Sequence, residues 1–146
     1  MANSETSISA IANRKKKFRK AKKWLAANRR KIRKIKNSRK LNAQKKARRI
    51  LIILASTARR MKQRQEHRRA FNALVLKDKR TVRRGASTHL PLIRFFVATH
   101  SSASALRYAD GIDTCLRQTT MSWKKMKAFV RENGISALSR AHRDVA

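Results

Sequence analysis

The fold is decided by the stretch LNAQKKARRILIILASTARRMKQRQEHRRAFNALV, residues 41–75, in which apolar side chains recur at helical spacing. At about 100° per residue, one face of the helical wheel collects an apolar stripe of Ala43, Ala47, Ile50, Leu54, Ala58 and Met61. The chain has no glycine or proline before Gly85 and is rich in residues of high helix propensity. The sequence therefore predicts an amphipathic helix over residues 40–77, about 57 Å long.

A basic segment precedes this helix. Residues 13–40 read NRKKKFRKAKKWLAANRRKIRKIKNSRK and contain no acid. Leu25 and Ile32 fall close to the angle of the apolar stripe, but basic residues interrupt the pattern. We therefore expect residues 1–40 to form a basic N-terminal extension, helical in tendency and partly disordered without a ligand, that becomes ordered on phosphate. Residues 41–84 would then form the long basic amphipathic helix.

Residues 85–146 contain every glycine and the single proline of the chain, and they predict a small helical bundle. Helices are expected at 90–108, about 113–120, 122–133 and 136–143. The predicted caps are Thr88, Asp113, Ser122 and Ser136 at N-termini and Gly134 at a C-terminus. A bundle of about 60 residues is marginal alone, so the apolar stripe is expected to pack against it or, in a homodimer, against a second copy of itself.

The charge of the chain is strongly one-sided. Lys and Arg number 40 against 7 acidic residues, a formal net charge of +33. Residues 14–84 carry 31 bases and 2 acids, whereas residues 85–146 carry 9 bases and 4 acids. A compact body with this charge repels itself, so we expect a polyanionic partner.

Nucleic acid is the predicted partner, with RNA favoured over DNA, because the basic clusters match a phosphate backbone and release its condensed counterions. The candidate binding residues are Arg14, Lys15, Lys16, Lys17, Arg19, Lys20, Lys22, Lys23, Arg29, Arg30, Lys31, Arg33, Lys34, Lys36, Arg39, Lys40, Lys45, Lys46, Arg48, Arg49, Arg59, Arg60, Lys62, Arg64, Arg68 and Arg69. A solvated charged face is the alternative interpretation, but such faces normally mix both signs of charge.

Two aromatic residues lie inside the basic segment. Phe18 and Trp24 are candidates for stacking on bases exposed in a single strand or a loop. The alternative is that they anchor the extension against a protein partner or against the C-terminal bundle.

Enzymatic and metal-binding functions find no support in the sequence. His67, His89, His100 and His142 are isolated, with no metal-type spacing to one another or to Cys115, the single cysteine. Asp110 and Asp113 resemble a turn around Gly111 more than a carboxylate pair for acid–base catalysis. Three scattered glycines cannot form a phosphate-binding loop. We predict no enzyme activity, no cofactor, no metal and no small-molecule substrate.

Several biological settings fit such a protein. It would be a structural component of a ribosome-like particle, a viral accessory protein that binds duplex RNA, or a DNA-packaging protein. A protein–protein adaptor with a basic nuclear-targeting arm is the alternative from another class. The segments RKKKFRKAKK and RRKIRKIK are similar in composition to nuclear import signals.

The same features set the expected location of the protein. It would be soluble and intracellular, in the nucleus or nucleolus of a eukaryotic host and otherwise in the cytoplasm. Membrane binding is the less favoured alternative, because the apolar stripe is largely Ala and Ile.

Overall fold

The computed structural model describes residues 3–77, 89–97 and 102–145, and within these ranges all regular secondary structure is α-helical. The all-α prediction is therefore confirmed. The helices of these ranges are α1 Asn3–Asn37, α2 Ala43–Gln63, α3 Gln65–Lys77, α4 Leu90–Val97, α5 Ser102–Arg117, α6 Trp123–Asn133 and α7 Ile135–Val145.

The predicted N-terminal extension is one helix of 35 residues, α1. Ala21, Leu25 and Ile32 are all but fully buried, at 1%, 0% and 0% exposure, so α1 supplies part of the core. The alignment of Leu25 and Ile32 with the apolar stripe is thus reflected in their burial. That α1 orders only in the presence of phosphate stays a prediction.

Helices α1 and α2 form an antiparallel pair joined by residues 38–42. The Lys46 ammonium donates to the Lys36 carbonyl at 3.1 Å, near the joining segment. Further along, the Asn28 amide donates to the Thr57 hydroxyl oxygen at 3.3 Å. Residue numbers fall along α1 as they rise along α2, as they must in an antiparallel hairpin. Asn28 and Thr57 are both buried, so this bond satisfies polar groups that water cannot reach.

The helix expected over residues 40–77 is divided into two in the structure. Arg64 has an extended backbone, with φ −129° and ψ 118°, and lies between the last residue of α2 and the first of α3. Its N–H still bonds to the Arg60 carbonyl at 2.9 Å, which completes the last turn of α2. The one-helix prediction is therefore wrong at Arg64, where neither glycine nor proline marks the break.

The break at Arg64 lets α3 turn back beside the middle of α1. The His67 ring lies 5.2 Å from the Trp24 ring, edge to face. Phe71 lies 5.7 Å from Phe95, whose ring in turn lies under the Arg29 guanidinium at 4.3 Å. If α2 continued in its original direction, Phe71 would lie beside the N-terminal half of α1 and away from Phe95. Burial of Phe71 in the aromatic cluster of α4 accounts for the reversal.

The boundaries in the C-terminal part differ from those predicted. Pro91 lies in the first turn of α4, where proline is tolerated. Helix α4 ends at Val97, and α5 then runs unbroken from Ser102 to Arg117. Asp113 therefore lies inside α5 and is not a cap; its carboxylate contacts the His89 ring at 2.8 Å. The predicted boundary at Gly85 and the cap at Thr88 lie outside the described residues.

Two of the three remaining caps are confirmed. The Ser122 hydroxyl accepts from the Lys125 N–H at 3.2 Å at the start of α6. Gly134, at φ +85°, ends α6 in the region that favours glycine, and its N–H bonds to the Val130 carbonyl. The Ser136 cap is wrong, because α7 begins one residue earlier, directly after Gly134.

The apolar stripe packs within one chain. Helix α2 contacts α1 on one side and α5 and α6 on the other, and Ile50, Leu54 and Ala58 are buried between them. The stripe is exposed only at its N-terminal end, at Ala43 and Ala47. Of the two expected arrangements, the structure has the apolar stripe packed against the C-terminal helices. The buried part of the stripe offers no surface for a homodimer.

Gly111 lets α5 approach α2 closely. It lies inside α5, and a Cβ atom placed there would come within 2.7 Å of Leu51 Cδ1. Leu51 is 5% exposed, so its side chain has little room to move. The turn expected around Gly111 is therefore a helix–helix contact.

We expect Gly111→Val to lower the free energy of unfolding by about 1–3 kcal/mol, the usual cost of overpacking. The measurement is urea denaturation followed by circular dichroism. Leu51→Ala is the matched background, because it removes the atoms that the new side chain would strike. There the added cost of Gly111→Val should nearly vanish, and equal costs in both backgrounds would contradict the close contact.

Candidate nucleic-acid interface

The basic helices carry almost no compensating charge. Residues 8–75 contain 26 Lys and Arg side chains and a single carboxylate, that of Glu66. Twenty of these cations are exposed. The whole chain has seven acids, too few to pair with 26 cations, and the mutual repulsion of these cations makes a polyanion a favourable partner.

The face of α1 opposite the core forms an outer stripe of Lys16, Lys23, Arg30 and Lys34. All four residues are exposed and recur at seven- and four-residue spacing along one helix. Between its ends the outer stripe extends about 27 Å. A rigid row of this length can follow several successive phosphates of a nucleic-acid backbone.

Six of the predicted binding residues are half-buried and make contacts within the protein. They are Lys22, Arg29, Lys46, Arg48, Arg59 and Arg60. The Arg29 guanidinium lies over Phe95, as described above, and that of Arg59 lies 4.5 Å from the centre of the Trp123 ring. These cation–π contacts join α1 to α4 and α2 to α6, so both arginines stabilise the fold.

Arg48 and Lys36 bind backbone carbonyls at the ends of helices. The Arg48 guanidinium donates to the Glu132 carbonyl at 3.1 Å, near the end of α6. A carbonyl in the last turn of a helix lacks an intrahelical donor, and Arg48 supplies one. Lys36, although exposed, donates to the Val97 carbonyl at 2.9 Å at the end of α4. Both side chains thus cap helices.

The two candidate stacking residues differ in their surroundings. Trp24 is half-buried, with the edge-on His67 ring at 5.2 Å and the Arg60 guanidinium at 5.2 Å. Trp24 thus fixes α3 and the end of α2 to α1, and these contacts are with neither of the two anchor partners expected, a protein partner or the C-terminal bundle. Phe18 is also half-buried, with the Lys22 ammonium 4.8 Å from its ring centre, but it borders an open cleft.

That cleft lies between α1 and α3 and has a volume of about 720 Å³. It is lined by Arg14, Lys15, Phe18, Arg19, Gln65, Glu66 and Arg69. Four cations, one aromatic ring, one amide and the single carboxylate of the region therefore meet at one place. The reversal of the chain at Arg64 brings α3 to this position.

Helix α6 carries cations that are not among the binding residues predicted from the sequence. Lys124, Lys125 and Arg131 are exposed, and α6 packs on α2. Arg131 lines a second cleft, of about 310 Å³, together with Arg49 of α2 and Ile35 of α1. The basic surface therefore continues from α1 over α2 to α6. The segment WKKMK, residues 123–127, was the available signal for this extension.

Among the described residues, there is no sign of a metal site, a reactive thiol or a membrane-spanning helix. Within them, no group of three or more His, Cys, Asp or Glu side chains is placed to hold a metal ion. Burial raises the pKa of the Cys115 thiol to about 12, so it remains protonated at neutral pH. No helix in the described ranges is long and apolar enough to cross a bilayer.

Comparison with known proteins gives no relatives: no protein-family model, no curated protein and no solved structure matches this chain.

His67 lies where α1, α2 and α3 meet, and its environment disfavours the charged form. Burial lowers the pKa of His67 from 6.5, and the positive charges of Arg60 and Arg64 lower it further, while Glu66 opposes them. Nδ1 of His67 is buried and has no hydrogen-bond partner in the described part of the chain. A proton on this atom would be a buried donor without an acceptor, which adds to the cost of protonation.

We expect the fold to lose stability as the pH falls below about 6.5, since the unfolded His67 then binds a proton that the folded one does not. The loss begins near the unfolded pKa and levels off below the lowered folded pKa. The measurement is urea denaturation at a series of pH values for the wild type and for His67→Gln. The difference between the two proteins should change across this range, and a constant difference would contradict the assignment.

Proposed function

We propose that the protein binds nucleic acid, RNA in preference to DNA, by neutralising the phosphate backbone with low sequence specificity. The observation that carries this proposal is the ratio of 26 cations to one carboxylate over residues 8–75, with 20 of those cations exposed. Such a surface gains free energy from counterion release wherever it meets closely spaced phosphates.

The shape of the basic surface supports the same partner. The outer stripe of α1 is a row of fixed cations, and α2 and α6 add further exposed lysine and arginine side chains beside it. A folded basic surface positions its charges before binding, which limits the entropy lost on association. The protein would act as a rigid basic body that holds a backbone, in contrast to a disordered tail.

Among the biological settings, a structural role in a ribonucleoprotein particle is favoured over a duplex-coating viral protein. A protein that coats duplex RNA should dimerise, and the apolar stripe, which was the expected homodimer surface, is largely buried within one chain. DNA packaging and a nuclear adaptor role remain rival proposals. We place the protein inside the cell, in the nucleus or nucleolus of a eukaryotic host and otherwise in the cytoplasm.

The binding mechanism predicts a steep dependence on salt. Between about 50 and 200 mM salt, the affinity for an RNA duplex should fall by about 10³-fold or more, as for six or more phosphate contacts. Gel-shift titrations at several salt concentrations measure this dependence. A much shallower loss would mean that the basic surface does not bind the backbone.

The outer stripe predicts where the protein touches the backbone. The triple variant Lys23→Gln, Arg30→Gln, Lys34→Gln should reduce the slope of log affinity against log salt by about 2.7, or 0.9 for each duplex phosphate that the variant no longer neutralises. Gel-shift titrations at the same salt concentrations measure the slope. All three side chains are exposed, so the fold should be unaffected.

The matched control removes the same charge elsewhere. Arg107, Arg117 and Arg140 are exposed on α5 and α7, and their replacement by Gln also subtracts three charges. We expect this control to change the slope much less than the α1 variant does. Equal slopes for the two variants would show that only net charge matters and would contradict a defined binding face.

A further inference from the structure

We propose that the cleft between α1 and α3 is a subsite for one unpaired nucleotide of a single-stranded or looped RNA, with its base against Phe18. This inference rests on the proposed function and adds a second kind of contact to backbone binding. The cleft volume of about 720 Å³ lies within the range of small-ligand sites, about 300–1,000 Å³.

Phe18 supplies the stacking surface of the subsite. Its ring is half-buried against the core, which fixes its position, yet it borders the open cleft. Base–aromatic stacking is a main source of affinity for single strands, because every base has a π-face. The Lys22 ammonium lies 4.8 Å from the centre of the Phe18 ring, at the end of a flexible side chain that a base can displace. Trp24 is a poorer candidate, since the His67 ring contacts it in addition to the Arg60 guanidinium.

The cations around the ring would hold the phosphates on either side of the base. Arg14, Lys15 and Arg19 project from α1, and Arg69 faces them from α3; all four are exposed. Phosphates flank each nucleotide of a strand, and the two helices would contact them from opposite sides of the cleft. A nucleotide bound here would thus be held by its base and by its backbone.

Gln65 and Glu66 distinguish this cleft from the outer stripe. A carboxylate repels phosphate, so a surface that bound only backbone would gain nothing from Glu66. A carboxylate does accept hydrogen bonds from the amino group of cytosine, and an amide both donates and accepts. Glu66 lies in the first turn of α3, where a negative charge interacts favourably with the helix dipole. The subsite should therefore prefer a base that presents an amino group, such as cytosine, over uracil.

The test compares RNA ligands by fluorescence anisotropy with the full chain. The ligands are short single strands of cytidine or of uridine, an RNA duplex of the same length, and polyglutamate as an anion without bases. Phe18→Leu should weaken binding of the single strands by about 5- to 150-fold, the range for loss of one stacked base, and leave duplex binding unchanged. Glu66→Gln should remove the preference for cytidine over uridine without weakening the binding of uridine.

Phe129→Leu is the matched control, because Phe129 is a half-buried aromatic residue of α6 that does not line the cleft. It should leave single-strand binding unchanged. Circular dichroism melting establishes that each variant is folded. If Phe18→Leu does not fold, Gln65→Ala and Arg69→Gln replace it, since both side chains are exposed. They should weaken single-strand binding more than duplex binding.

Three outcomes would overturn the subsite. They are an unchanged single-strand affinity in folded Phe18→Leu, an equal loss on single strand and duplex, and a Phe18-dependent affinity for polyglutamate as high as that for RNA, which would indicate an acidic protein partner. Failure of the wild type to bind any of the RNAs would instead overturn the proposed function itself.

Discussion

The rest of the structure depends on the burial of the middle of α2 from several sides at once. The run from Ile50 to Ala55 is apolar throughout, and of its six residues only Ile53 is more than marginally exposed. A single stripe would bury one face against one partner, but α2 contacts α1, α4, α5 and α6. Truncation of a central side chain such as Leu54 would leave a cavity shared by several helices, at a cost of about 2–5 kcal/mol.

This central burial has to overcome the repulsion among the cations that surround it. Of the 26 basic side chains of residues 8–75, 23 lie on α1, α2 and α3, which contribute much of the core. Their mutual repulsion opposes folding and is relieved by salt or by a bound polyanion, so binding and stability are thermodynamically linked. A ligand that neutralises the outer stripe should stabilise the packing of α1 against α2 and α3.

Features of the fold that depend on local spacing can be predicted from the sequence. Features that depend on contacts between residues far apart in the chain cannot. The apolar stripe, the Ser122 cap and the Gly134 turn follow from residues close together in the chain. The reversal at Arg64 does not, because it is the packing of Phe71 among aromatic residues of α4 that makes it favourable. The role of Gly111 is hidden for the same reason: a glycine that ends a helix and one that admits a neighbouring helix look alike until Leu51 is in place.

The sequence predicts that the candidate site is a basic surface, but it does not predict which cations form that surface. Every lysine and arginine of the basic segment looks equivalent in the sequence, whereas the structure assigns some to the fold and leaves others exposed. Of the six half-buried cations, four are arginines, as expected for a weakly hydrated, planar group that stacks on aromatic rings. Exchange of arginine for lysine keeps the charge in both environments. At Arg59 it removes the planar stacking on Trp123 and should cost stability, whereas at Arg30 it should leave the fold nearly unchanged. Where this exchange lowers the free energy of unfolding, the arginine stabilises the fold. A substitution at such a position would change nucleic-acid binding through its effect on the fold.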